Sequence, residues 1–148
     1  MKIYLGADHR GFNLKEEIKV KLLDGNFNVF DLGNTELDPN DDYVDFASKV
    51  AKSVSEDEVS RGILICGSGA GVDIVANKFK GIRSALAFDL NRVKQSREHE
   101  DANILSLPAD VLDIDLAWEM VQAFLETPFS NEKRHLRRIN KIKELKTN

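Results

Sequence analysis

The chain reads as a doubly wound α/β protein, a five-stranded parallel sheet with helices on both faces (a Rossmann-like αβα sandwich) and an extra C-terminal helix. Three observations predict this. Short β-branched runs alternate with longer amphipathic segments along all 148 residues. The short runs are almost continuously apolar, as strands buried on both faces are. The segments between them are long enough to supply the right-handed helical crossovers that parallel neighbours require.

The strands are expected at "IYLGA", "NVFDLG", "RGILICG", "IRSALAF" and "ANILSL". Helices are expected over 13–24, 41–56, 70–80, 90–99 and 113–126, with the extra helix at about 132–146. Gly25 suits a helix stop after "LKEEIKVKLLD", and Asp41 or Asp42 suits the N-cap before "YVDFASKVAKSV". The length fits one domain spanning 1–148, large enough to bury a core and carry a pocket. The simplest strand order, 2-1-3-4-5, reverses between the first and third strands, and ligands of such sheets bind beyond the carboxyl ends of the strands at that reversal. The loops "ADHRG" and "CGSGAG" would face each other there.

Composition narrows the partners. The one cysteine, Cys66, rules out an internal disulfide, and no basic segment followed by an apolar stretch opens the sequence, so a cytoplasmic location is expected. No apolar run approaches a membrane span, and the formal charge of −4 argues against nucleic acid; neither partner is expected. Three scattered histidines and one cysteine offer no metal-ligand spacing.

Four stretches carry chemistry. "CGSGAG" has neither the spacing of a dinucleotide-binding fingerprint nor the Gly-Lys-Ser/Thr of a phosphate loop. What remains is a row of backbone N–H groups at Gly67, Ser68, Gly69, Ala70 and Gly71, opening a helix. That arrangement suits an anion, or an oxygen that gains negative charge during reaction, and it favours a thiolate at Cys66. A small buried cysteine ending a strand is the competing reading. Ser68 has no adjacent base and forms no hydrolase elbow. In "GADHRG", Asp8 is placed to orient hydroxyls or shuttle a proton, and His9 to bind an anion or act as an acid; Asp8 serves equally well as a helix cap.

In "REHEDAN", His99 ends the helix after the fourth strand, at the opposite edge of the sheet from the end where Cys66 emerges. If the two share a site, His99 comes from a second copy, and the protein is an obligate homodimer. The rival reading is a histidine interacting with a helix C-terminus. In the basic tail "EKRHLRRINKIKELK", Arg134 and Arg138 share a helix face that could clamp a phosphate. Leu136, Ile139, Ile142 and Leu145 form a narrow stripe suited to docking on a partner subunit. A solvated, salt-bridged face is the alternative there.

Taken together, "GADHRGFNLKEEI", "ILICGSGAGVDIVANKFKGIRSAL", "SREHEDANILSL" and "RHLRR" resemble the sugar-phosphate isomerase family of ribose-5-phosphate isomerase type B and the galactose-6-phosphate isomerase subunits. The resemblance runs from the first strand to the last helix and is strongest to the ribose-5-phosphate branch. It implies an aldose–ketose isomerase that interconverts ribose 5-phosphate and ribulose 5-phosphate through an enediolate, without metal or organic cofactor, as a homodimer or dimer of dimers. By the same resemblance Cys66 moves the proton between C2 and C1, Ser68 assists near the reacting carbons, and the amides of Gly67, Gly69, Ala70 and Gly71 hold the enediolate oxygen. His99 of a neighbouring subunit opens the furanose ring, Asp8 contacts sugar hydroxyls, and His9, Arg134 and Arg138 contact phosphate.

Two positions depart from the family pattern. Glu100 stands where the family has a substrate-binding asparagine, and Asp110 where many relatives carry an arginine that reaches the partner's phosphate. An ionised carboxylate only accepts hydrogen bonds, and it repels phosphate. These departures motivate an alternative substrate, a six-carbon aldose phosphate such as allose or galactose 6-phosphate. A silent sugar-phosphate-binding subunit is a third reading, against which the retained Cys66 and His99 stand.

Overall fold

A computed structural model describes residues 1–145. The elements are β1 (Lys2–Ala7), α1 (Phe12–Asp24), β2 (Asn28–Asp31), α2 (Tyr43–Ser55), β3 (Arg61–Cys66), α3 (Ala70–Ala76), β4 (Ser84–Leu86), α4 (Leu90–Glu100), β5 (Ile104–Pro108), α5 (Ile114–Glu126) and α6 (Lys133–Glu144). All four strand pairings are parallel. The expected αβα sandwich with its added C-terminal helix is therefore the observed fold; residue 146, placed in that helix from sequence, lies outside the described residues.

The sheet order is β2-β1-β3-β5-β4, so the simple order is corrected at its last two strands. Burial explains the exchange. β5 is buried along its whole length and takes the inner position, whereas β4 has only three residues, all half-buried, and forms the edge. The reversal between β1 and β3 is unaffected, and the two chemically loaded loops meet there as expected.

Two apolar layers hold the helices. On one face Leu14, Ile18 and Leu22 of α1 pack with Val93 of α4 and Ala117, Met120, Val121 and Phe124 of α5. On the other, Ala47, Val50, Ala51 and Val54 of α2 pack with Val72 and Ala76 of α3 against Leu64 and Ile104. Each fully buried Leu, Ile or Phe in these layers contributes about 1.5–3 kcal/mol of transfer free energy.

Helix ends follow local chemistry. Asp42, not Asp41, caps α2 by accepting the Val44 N–H at 3.0 Å, which leaves Asp41 for another use. α1 stops at Gly25 as expected, but the left-handed residue is the next one, Asn26, at φ 59°. α3 ends at Ala76, earlier than its sequence periodicity suggests. The Asn77 side chain accepts the Ser84 N–H at 2.9 Å and donates to the Ser84 carbonyl at 3.0 Å, so it pairs with β4.

One close approach positions the site. A Cβ on Gly11 would lie 2.5 Å from the Ile65 carbonyl oxygen, so the start of α1 rests directly on the end of β3. We expect Gly11→Ala to destabilise the fold by about 1–3 kcal/mol, because backbone cannot retreat as a flexible side chain would; the midpoint of urea unfolding measures it, and an unchanged midpoint would refute this packing.

Candidate active site

The site is built where β1 and β3 end side by side. Cys66 is the last residue of β3 and is buried, and its Sγ accepts the Gly69 N–H at 3.1 Å. Gly69 has φ 73°, in the left-handed region that favours glycine, and it caps α3; a Cβ there would also meet Leu86 at 2.5 Å. The chain therefore turns tightly around the sulfur. Ser68 is exposed at the tip of the turn, and its Oγ accepts the Ala70 N–H at 3.3 Å.

Neighbouring loops are fastened to this turn. Ala109 donates its N–H to the Cys66 carbonyl at 2.9 Å, and Asp110 donates its own to the Gly67 carbonyl at 3.0 Å. Behind it, Asp73 of α3 accepts from Ser84 Oγ at 2.6 Å, and Ser84 and Ser106 share a hydrogen bond at 3.0 Å. Burial pushes the Asp73 carboxyl above the usual carboxylate range, opposed by those hydroxyl contacts. In front, the Tyr43 ring lies over Gly71, where a Cβ would meet it at 2.8 Å. Tyr43 escaped the sequence reading; its only signal was an aromatic directly after the α2 cap.

The β1–α1 loop forms the other lip. Asp8 Oδ1 accepts the N–H groups of Arg10 and Gly11, both at 3.0 Å, so the carboxylate organises the loop as a cap does. His9 Nδ1 pairs with Asp41 Oδ1 at 2.6 Å, and Asn34 donates its amide to the other Asp41 oxygen. The Asn34 carbonyl is held in turn by the buried Lys15 ammonium at 2.9 Å, which also pairs with Glu16 and Asp31. The Asp41 hydrogen bond, with the charges of Asp41 and Asp8, holds the His9 imidazole above its ordinary value near 6.5. Asp8, His9 and Asp41 bring three potential ligand atoms within 4.8 Å of one another. Asp8 is engaged by backbone N–H groups, and Asp41 by the His9 imidazole and the Asn34 amide.

The remaining predicted residues gather elsewhere. His99 lies one residue from the end of α4, by the amino ends of the strands: the adjacent Glu100 carbonyl accepts from Arg83 Nε at 2.8 Å, just before β4 begins. Cys66 is at the opposite, carboxyl end of β3, six residues or about 20 Å along. Arg97, buried, fixes this corner through Asp101 at 2.8 Å and the Ala102 carbonyl at 2.6 Å. The His99 ring lies 4.4 Å from that of His135, a buried residue of α6 that the sequence reading passed over and that hydrogen-bonds Ser130 at 2.7 Å. Arg134 and Arg138 are exposed on α6, Arg134 pairing with Glu132 at 2.7 Å. Of the apolar stripe, Ile139 is buried, whereas Leu136, Ile142 and Leu145 are exposed. No helix among the described residues is long and apolar enough to cross a membrane.

The ribose/galactose isomerase family profile matches residues 3–142. The chain belongs to the ribose/galactose isomerase family. It is 40% identical to the ribose-5-phosphate isomerase B of Escherichia coli over 141 residues, 95% of this chain and 93% of that one. Among solved structures it superposes on ribose-5-phosphate isomerase B of Clostridium thermocellum with a TM-score of 0.93 at 44% identity, covering 97% and 96% of the two chains. The ribose-5-phosphate isomerase B of Mycoplasma genitalium with bound ribulose-5-phosphate gives 0.93 at 40% identity, over 96% and 93%. Family membership makes this protein an enzyme, a sugar-phosphate isomerase.

The isomerase's two departures sit in different surroundings. Glu100 is exposed beside His99, and Asp110 forms an ion pair with Arg10 at the mouth of the crevice. The clamp on His9 has a pH signature. Because the folded-state value is raised, the stabilisation by the His9–Asp41 pair is complete below the ordinary imidazole value and is lost as pH rises through the folded-state one. We expect Asp41→Asn to move the His9 titration midpoint downward; its imidazole Cε1–H shift followed by NMR measures this, and a stationary midpoint would contradict the clamp.

Proposed function

We propose that this protein interconverts ribose 5-phosphate and ribulose 5-phosphate, with Cys66 as the base. The observation that carries the reading is the Cys66 turn, where one loop offers both a sulfur and a row of amides, with the sulfur already hydrogen-bonded by Gly69 at 3.1 Å. A proton alpha to a carbonyl is weakly acidic, so catalysis needs a base beside C2 and preorganised donors for the charge that forms. The Cys66 thiolate takes the C2 proton. The electron pair left on C2 forms the C1–C2 double bond, and the charge passes to O1. There the N–H groups of Gly67 and Gly71 receive it, joined by those of Gly69 and Ala70 as they leave the Cys66 sulfur and the Ser68 hydroxyl. Return of the proton to C1 and loss of the O2 proton leave a carbonyl at C2. Ser68, exposed at the tip of the turn, carries protons between the oxygens. Asp8 meets the sugar hydroxyls, and His9, paired with Asp41, meets the phosphate.

The site is completed by a second copy. One chain separates Cys66 from His99 by the length of the sheet, and neither of two clefts of about 550 and 620 Å³ elsewhere on the molecule includes a residue of the Cys66 turn. In the homodimer the partner's His99 assists ring opening, and α6 docks through Leu136, Ile142 and Leu145 while Arg134 and Arg138 reach a phosphate. Glu100, beside His99, favours a second reading in which the same chemistry acts on a six-carbon aldose phosphate, because its carboxylate accepts hydrogen bonds where an amide would also donate.

Proton NMR in heavy water tests the reaction: ribose 5-phosphate should lose its C2 proton signal as ribulose 5-phosphate appears, and Cys66→Ala should slow this by roughly a hundredfold to ten-thousandfold. Conversion of allose 6-phosphate but not ribose 5-phosphate would transfer the assignment to the longer sugar. Mixing Cys66→Ala and His99→Asn chains should restore activity that neither parent has; no recovery despite measured subunit exchange would sink the shared site.

A further inference from the structure

We propose that Arg10 is a further phosphate-binding cation of this site, carried by the β1–α1 loop and aimed by Asp110. The inference rests on the reading of the protein as a sugar-phosphate isomerase and adds a specificity-determining residue to it.

Three features place Arg10 there. Its guanidinium lies directly on the backbone of Gly67, where a Cβ would come within 2.5 Å of Cζ and Nε, so the cation stands over the first amide after Cys66. Its Nη2 pairs with Asp110, whose own N–H is bonded to the Gly67 carbonyl at 3.0 Å, so the anchoring acid is fixed to the same turn. It also follows His9 in the chain, close enough for the Arg10 charge to oppose protonation of the imidazole. The two neighbours are built alike. Each is a basic side chain with an acid brought by a different loop, Asp41 before α2 for His9 and Asp110 after β5 for Arg10.

The alternative is an ordinary surface salt bridge. Both side chains are about half exposed, at 55% and 43%, and exposed pairs of this kind contribute little to stability. The same weakness suits a binding role, because a phosphate dianion competes readily for a guanidinium that keeps unpaired N–H donors. Asp110 would repel a phosphate if it were unpaired; through Arg10 it becomes the group that holds a cation over the glycine turn.

Kinetics and phosphate binding test this. Arg10→Gln should raise KM for ribose 5-phosphate roughly tenfold while kcat changes by less than about threefold, with a matching rise in the inhibition constant of inorganic phosphate. Arg10→Lys, which keeps the charge but loses the fork, should fall between. Asp110→Asn should change KM in the wild-type background and have no effect in the Arg10→Gln background, since the acid acts through the arginine. Unchanged KM and unchanged phosphate inhibition in Arg10→Gln, with wild-type turnover intact, would reduce the pair to a surface salt bridge. Should wild type not turn over ribose 5-phosphate, the substrate assignment fails and Arg10 is judged separately. Inorganic phosphate titrated against the amide NMR signals of Gly67 and Gly69 should then bind wild type more tightly than Arg10→Gln, and equal binding would overturn the proposal.

Discussion

The contact on which the site depends is that of the Gly11 Cα with the carbonyl of Ile65. Parallel strands β1 and β3 lie side by side because the chain reverses its winding direction between them. Adjacent strands alone would leave their loops a few ångströms apart. The absence of a side chain at Gly11 lets the start of α1 settle onto the end of β3, and this seats Arg10 on Gly67 and sets His9 beside the turn that carries Cys66. The distance between the two loops is therefore set by backbone packing.

Charge at the crevice mouth is arranged in pairs, and the pairs are backed from inside. Lys15, fully buried in α1, donates to Asp31, Glu16 and the Asn34 carbonyl. Burial works to raise the Asp31 carboxyl, but the ammonium groups of Lys15 and Lys19 outweigh it and hold that carboxyl below its usual range. Through Asn34 this cluster steadies Asp41, and through Asp41 it steadies His9. A buried lysine of this kind costs desolvation, which its several partners offset; in return the loop after β2 has a fixed anchor more than one residue removed from the solvent-facing cations.

The far end of the sheet is organised as firmly, around different residues. Arg97 and Arg83 gather the carbonyls and carboxylates at the end of α4, and His135 of α6 meets His99 from the other side. His99 thus sits at a point its own Cys66 does not approach. His99 is half-buried there, and the exposed Leu136, Ile142 and Leu145 lie on the adjoining helix.

The sequence by itself determined the αβα architecture, the crevice between β1 and β3, and the turn at Cys66, because each is encoded locally. Strand runs, amphipathic spacing and closely set glycines act over a few residues, and the left-handed Gly69 is the kind of position that only such a turn demands. Tertiary structure decided what depends on competition between distant groups. β5 displaced β4 from the interior because it is longer and more fully buried, a comparison the order along the chain does not contain. Asp42 took the helix cap and freed Asp41 for His9, a choice between neighbours with equal propensity. Arg10 and Asp110, a hundred residues apart, met across the glycine turn. In sequence Asp110 reads as a lone acid opposed to phosphate, and only the folded chain gives it a cation to hold.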